Sequence, residues 1–235
     1  ENVTFPNGLK TIEDSAFSSC KKLASIILPD TLTTLGPAAF CNCSSVTQIN
    51  ISGTLTNIPA SAFSGCAALS MVTIQEGVLK IENDAFNGCI VLQTITIPEG
   101  VEIIGSSSFR NCTSLTSIVL PKSLHEIDSD TFLGCSSFTD VYYASSKENW
   151  SNVIIKESVW PNPLDKAIIH YNVSDPSKSG WEQKNSEWYY YENGTAVTDW
   201  KMIGGVWYYF DASGIMQTGW QWITGCLLYT SPSPR

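Results

Sequence analysis

The chain has 235 residues, enough for one large domain or two modest ones. Its formal net charge of −9 and pI near 4.6, with only 13 Lys and Arg, exclude the basic patch that nucleic acid or an anionic membrane surface requires. No run of eighteen apolar residues occurs, so no transmembrane segment is expected.

The chain opens inside a repeat. Val3, Phe5 and Pro6 lie 23 residues before Ile26, Leu28 and Pro29, so the sequence reads as an N-terminally truncated fragment with any export signal upstream. Phe17, Phe40, Phe63, Phe86, Phe109 and Phe132 then recur every 23 residues, each followed three positions later by Cys20, Cys43, Cys66, Cys89, Cys112 or Cys135. Aliphatic columns keep the same step, among them Ile26, Ile49, Val72, Ile95, Ile118 and Val141, and Ile12, Leu35, Ile58, Ile81, Ile104 and Ile127. One small unit that cannot bury its own apolar face, copied six times, predicts a solenoid with a long binding surface and no enclosed pocket. Within a unit such as Leu115-Thr116-Ser117-Ile118-Val119-Leu120-Pro121, residues 118 and 120 alternate inward as in a strand, and Pro29, Pro98 and Pro121 end it. The spacing of Ile12, Phe17 and Cys20 suits a short helix or 3₁₀ turn. The expected class is an α/β repeat solenoid with one short strand and one short helical turn per unit.

The pattern Leu-x-x-Ile-x-Leu-Pro followed by Ile-x-x-x-Ala-Phe-x-x-Cys resembles the BspA-type leucine-rich repeat over residues 1–143. The resemblance implies a curved solenoid of a secreted or surface-attached protein, without naming its ligand.

One thiol per turn predicts a column of reduced, buried cysteines instead of a disulfide framework, with Cys41 off the column. With no C-x-x-C and two histidines, neither a metal site nor a cofactor is expected. Glu13/Asp14, Glu82/Asp84 and Asp128/Asp130 each stand just before a Phe-x-x-Cys turn and read as caps on backbone N–H groups, not as a catalytic pair. His125 falls in a variable solvent position and His170 in a strand-like run, neither with the partners of a triad. No catalytic residue is expected. Seven Asn-x-Ser/Thr sequons occur, but Asn42-Cys43-Ser44 and Asn111-Cys112-Thr113 coincide with the repeat's own turn.

After Cys135 the repeat decays, and residues 144–173 read as the solenoid's C-terminal cap with Trp150 and Trp160 in its core. Residues 174–179 are a linker by composition. Residues 180–225 hold six of the eight Trp: Gly180-Trp181, Asp199-Trp200 and Gly219-Trp220 alternate with Trp188-Tyr189-Tyr190-Tyr191 and Trp207-Tyr208-Tyr209-Phe210, with Gly turns between. An aromatic strand, a Gly turn and a second strand predict a small β-hairpin repeat module.

This rhythm strongly resembles the choline-binding or cell-wall-binding repeat, in two complete copies and the start of a third, with Asp199 replacing the usual Gly. The resemblance implies an aromatic cage for choline on cell-wall teichoic acid, or in related repeats a glucan site. By that resemblance the binding residues are Trp188, Tyr190, Trp200, Trp207, Tyr209 and Trp220. Residues 226–235 break the register, because the spacing demands Trp at 227 and the chain has Leu227. They read as the translation of a transposase sequencing adapter carried into a metagenomic fragment.

The sequence thus predicts a non-catalytic bacterial surface protein, extracellular or cell-wall associated. Its aromatic repeats attach it to the wall and its solenoid presents an uncharged column, Ser25, Gln48, Met71, Thr94 and Ser117, to an unknown protein or glycan ligand. The alternative is the targeting region of a secreted enzyme whose catalytic domain lies upstream.

Overall fold

The computed structural model describes residues 2–173, 178–184, 187–192, 194–223 and 226–230. The chain divides into two compact units, 1–172 and 173–235.

The first unit is a β-solenoid whose coils each contribute two strands. The longer one recurs as Ser25–Ile27, Gln48–Ile51, Met71–Ile74, Thr94–Thr96, Ser117–Leu120 and Asp140–Tyr143, and a two-residue strand as Thr34–Leu35, Asn57–Ile58, Lys80–Ile81, Ile103–Ile104 and Glu126–Ile127. Pairing is parallel and joins residues 23 apart, such as Ile49 with Val72 and Ile118 with Val141. Each column of like residues in the sequence is therefore a column of touching side chains in space.

The expected helical turn at Phe-x-x-Cys is replaced by a string of tight turns. The N–H groups of Ala16, Ser18 and Cys20 donate to carbonyls three residues back, at Glu13, Ser15 and Phe17. The alternate N–H groups of Ser15, Phe17 and Ser19 donate instead to Pro37, Ala39 and Cys41 of the next coil. Ser15 and Ser19 have φ of 55° and 61°, and every following coil repeats both left-handed positions. A helix needs unbroken right-handed residues, and a left-handed residue every fourth position prevents one. The same kinks turn every second N–H toward the neighbour. The second position is Asn42, Gly65, Gly88, Asn111 and Gly134 in successive coils, residue types that tolerate positive φ. At Gly65 a Cβ would stand 2.2 Å from the Asn42 side-chain oxygen, so that glycine is also required by contact.

The six phenylalanines form one ladder, with ring centroids 5.3–6.0 Å apart and planes within 13° of parallel. Phe40 to Phe132 are fully buried, and Phe138 closes the stack against Phe132 at 4.6 Å. Full burial of one such side chain is worth about 1.5–3 kcal/mol. Each buried thiol donates to the Phe carbonyl of the preceding coil, from Cys43 to Phe17 at 3.1 Å through Cys135 to Phe109 at 3.0 Å. The seven cysteines of the solenoid are free; Cys20 is exposed at the start of the column and Cys41 half-buried.

Beyond Tyr143 the chain adds one longer coil: Asp140 pairs with Ile168 and Glu126 with Ile154, a step of 28 in place of 23. The extra length holds a helical turn, Lys147–Trp150, and a 3₁₀ turn, Pro163–Lys166. Trp150 packs edge-on to Tyr143 at 5.2 Å, within the core as expected. Trp160 does not: it is 61 % exposed, because Leu164 and Val153 fill the end of the core instead.

The second unit is a run of antiparallel hairpins, Gly180–Lys184 with Glu187–Glu192, Asp199–Ile203 with Val206–Phe210, and Gly219–Ile223 with Cys226–Thr230. The middle one turns on Gly204 and Gly205 with φ of 58° and 83°, the two left-handed residues that a two-residue hairpin loop demands. The register is common to all three, and it places Leu227 opposite Trp222 where Trp207 stands opposite Met202.

Candidate functional site

Strand alternation sorts the aromatics of each hairpin onto two faces. In the first, Trp181 is opposite Tyr190 and Gln183 opposite Trp188, so these share one face, while Glu182, Tyr189 and Tyr191 share the other. In the second, Trp200, Met202, Trp207 and Tyr209 form the first kind of face and Lys201, Tyr208 and Phe210 the second.

The two hairpins meet through opposite faces. Trp181 lies edge-on to Tyr208 at 4.8 Å and 5.9 Å from Phe210, and it touches Trp188 and Tyr190 of its own hairpin at 6.2 and 5.1 Å. Tyr208, Phe210 and Met216 are the buried centre of this contact, against which Trp188 and Tyr190 pack half-buried. The sequence-predicted residues therefore fall into two sets. Trp188 and Tyr190 line the inter-hairpin seam. Trp200, Trp207 and Tyr209 form a separate face, with Trp200 and Tyr209 at 5.2 Å and tilted 49°, and Trp207 53 % exposed. The side chain of Trp220 lies outside the described residues.

Trp181 is the residue that the sequence reading passed over, although it stands 19 residues before Trp200 and carries the same Gly-Trp signal. The position before these tryptophans is left-handed throughout, with φ of 96° at Gly180, 66° at Asp199 and 76° at Gly219, which explains why Gly is usual there. Asp is among the few other residues that accept it, and the Asp199 hairpin keeps the common register.

Such faces have a definite chemistry. A cation over an indole or phenol ring is attracted by the ring quadrupole, worth about 0.5–2 kcal/mol per contact. Trp200, Trp207 and Tyr209 offer three such rings beside the exposed thioether of Met202.

The solenoid presents a second surface, the outward positions of its longer strands. Ser25, Gln48, Asn50, Met71, Thr73, Thr94, Thr96 and Ser117 are uncharged in a chain of net charge −9, and Ile27 and Met71 are 75 % and 60 % exposed. Two shallow grooves of about 410 and 420 Å³ run across it, one beside Ile27, Asn50 and Thr73, the other beside Thr73, Thr94 and Thr96. They lie where the strand ladder is interrupted, between Ser25–Ile27 and Gln48–Ile51 and between Met71–Ile74 and Thr94–Thr96. At the C-terminal end His170 stacks on Tyr142 at 4.6 Å and meets the Asp140 carboxylate at 2.7 Å. That bond, with a second from Thr139, lowers the Asp140 pKa. His170 is thus occupied in joining the last strand to its neighbour.

The other titratable groups singled out in the sequence are structural. Burial pushes the Cys43 thiol up to about 11 and the Cys66 thiol up to about 12, and raises the Cys89 thiol as well. These thiols are the reverse of activated nucleophiles. Glu82 accepts from the Ala60 N–H at 3.2 Å and Asp128 from the Ser129 N–H at 2.7 Å, whereas Asp84 takes the Asn87 side chain at 2.8 Å.

Residues 1–89 and 56–157 match the family described as BspA type leucine rich repeat region, in six copies, and residues 197–232 match the choline-binding repeat. A leucine-rich repeat protein from Bacteroides ovatus is 30 % identical over 68 % of this chain and 42 % of its own, with a TM-score of 0.57. A leucine rich cell surface protein from Faecalibacterium prausnitzii is 30 % identical over 65 % of this chain and 34 % of its own, with a TM-score of 0.48. The choline binding domain of a Streptococcus pneumoniae protein is 34 % identical over 23 % of this chain and 85 % of that domain, with a TM-score of 0.22. The chain thus spans less than half the length of either leucine-rich relative. No curated protein matches it.

Proposed function

Because the chain belongs to the BspA-type leucine-rich repeat family and also carries a choline-binding repeat, we propose that it is a non-catalytic bacterial surface protein held to the cell wall by its aromatic hairpins. The observation that carries this reading is the Trp200, Trp207 and Tyr209 face, where an exposed indole stands beside a tilted Trp–Tyr pair. A quaternary ammonium on teichoic acid is the ligand such a face suits, since it gains from ring contacts and loses little hydration. Trp188, Tyr190 and Trp220 extend the same function to the neighbouring hairpins.

The solenoid then serves as the displayed binding surface. Its uncharged, hydroxyl- and amide-rich strand face fits a neutral glycan or an extended polypeptide better than a charged partner, and its two grooves offer places for side groups. No helix among the described residues is long and apolar enough to cross a membrane, so attachment falls to the hairpins in this reading.

The test is retention of the full chain on a choline resin. Elution by free choline supports the anchor, and retention on insoluble glucan with none on choline replaces choline by a sugar polymer. Retention on neither removes the anchoring role.

A further inference from the structure

We propose that the outer face of the first hairpin is an alkylammonium site that the chain holds shut with its own Lys178. The Lys178 ammonium stands 4.3 Å from the centroid of the Tyr191 ring and 2.5 Å from a Glu182 carboxylate oxygen. The Lys178 carbonyl accepts the Gly194 N–H at 2.7 Å, which ties the lysine backbone to the turn beyond Tyr191.

The hairpin register gives this contact its meaning. Tyr189 and Tyr191 lie 19 residues before Tyr208 and Phe210, and in the second hairpin those two rings are covered by Trp181 of the hairpin before it. In the first hairpin the equivalent rings are stacked 6.2 Å apart at 29°, and Lys178 stands over Tyr191, the counterpart of Phe210. An ammonium thus stands where the next repeat has an indole. Tyr191 is 7 % exposed, so the cover is close.

A ring face with a carboxylate beside it selects for an ammonium: the quadrupole attracts the cation and the carboxylate neutralises it. Glu182 sits on the same face as Tyr189 and Tyr191, four residues from Lys178. A tethered ammonium this close competes at an effective concentration that a free ligand does not reach. The first hairpin is therefore closed to choline-like ligands on this side, and recognition is directed to the faces further along the module. The proposal shares with the function above the premise that these aromatics take ammonium groups, but it stands on different residues.

The test uses the full chain with ring-labelled tyrosine and tryptophan, titrated with tetramethylammonium chloride against sodium chloride of equal ionic strength. In Lys178→Ala the Tyr189 and Tyr191 resonances should shift saturably, and in the wild type they should not. Lys178→Arg, which keeps a cation, should behave as wild type. Lys178→Met keeps the aliphatic stem and decides the matter if the alanine variant loses the dispersion of a folded hairpin. Shifts of Tyr191 in the wild type, or in none of the variants, overturn the proposal. Trp207 and Tyr209 are read in the same spectra. Their silence while Tyr191 responds in Lys178→Ala would fail the anchoring function alone, and the reverse would fail the Lys178 site alone.

Discussion

Ser108 illustrates how strictly the coil constrains single residues. Its position is Ala39, Ala62 and Ala85 in the preceding coils, all fully buried, and Thr131 in the next, whose hydroxyl donates to the Asp128 carbonyl at 2.7 Å. The Ser108 hydroxyl is buried without a partner, a loss of about 1–3 kcal/mol. Ser108→Ala should therefore stabilise the solenoid by about 1 kcal/mol, read as a higher denaturant midpoint at unchanged slope. The thiol column makes a prediction of opposite pH sense to that of an ordinary carboxylate. Burial raises Cys43 to about 11 and Cys66 to about 12, so the native state holds protons that the unfolded chain releases near 8.5. That stability is complete below the unfolded value and is lost as pH rises through the folded values. Denaturant midpoints should hold level from pH 7 to 8 and fall above pH 9. In the folded chain at pH 8, Cys20 should react with a thiol reagent well before Cys66 and Cys89.

At the scale of elements, the Phe ladder ties each coil to the next. Phe86 stacks on Phe63 and Phe109 at 5.6 and 5.5 Å and is fully buried, whereas Phe17 is only partly buried beside the edge-on Phe5. Phe86→Ala should cost about 3–5 kcal/mol and Phe17→Ala clearly less, in paired denaturation curves. This much was legible from residue spacing, because a fixed step of 23 with parallel pairing converts sequence columns directly into stacked columns. The strands, the buried thiols and the aromatic hairpins followed from the same kind of pattern. The tight turns did not. The first left-handed position of each coil holds Ser15, Ala38, Ser61 and Ser107 more often than Asp84 and Asp130, and such residues carry no local preference for positive φ except in the aspartates. Inter-coil hydrogen bonds impose that conformation, and they exist only once coils stack. Trp160 was misplaced for a related reason, since composition shows an aromatic near the cap and not which of Trp150 and Leu164 has already filled the core. In the module, strand alternation sorts Trp188, Trp207, Tyr190 and Tyr209 by face, but the seam made by Trp181 required two hairpins together.

The whole molecule combines two repeat systems, to which the proposed function gives different tasks. The solenoid builds a broad uncharged strand face from many small contributions. The hairpins concentrate aromatic surface in a short segment, the arrangement suited to gripping a small cation repeated along a polymer, where several weak contacts add as avidity. Loss of the exposed indole should therefore remove binding without unfolding the module, because Trp207 projects from the face opposite the buried Tyr208 and Phe210. Calorimetric titration of choline into the full chain and its Trp207→Ala variant tests this most directly. The account predicts saturable binding in the wild type and a loss of at least about tenfold in affinity, or 1.4 kcal/mol, in the variant with its hairpin spectrum intact. Absence of saturable heat in the wild type, or equal binding by the two proteins, would contradict it.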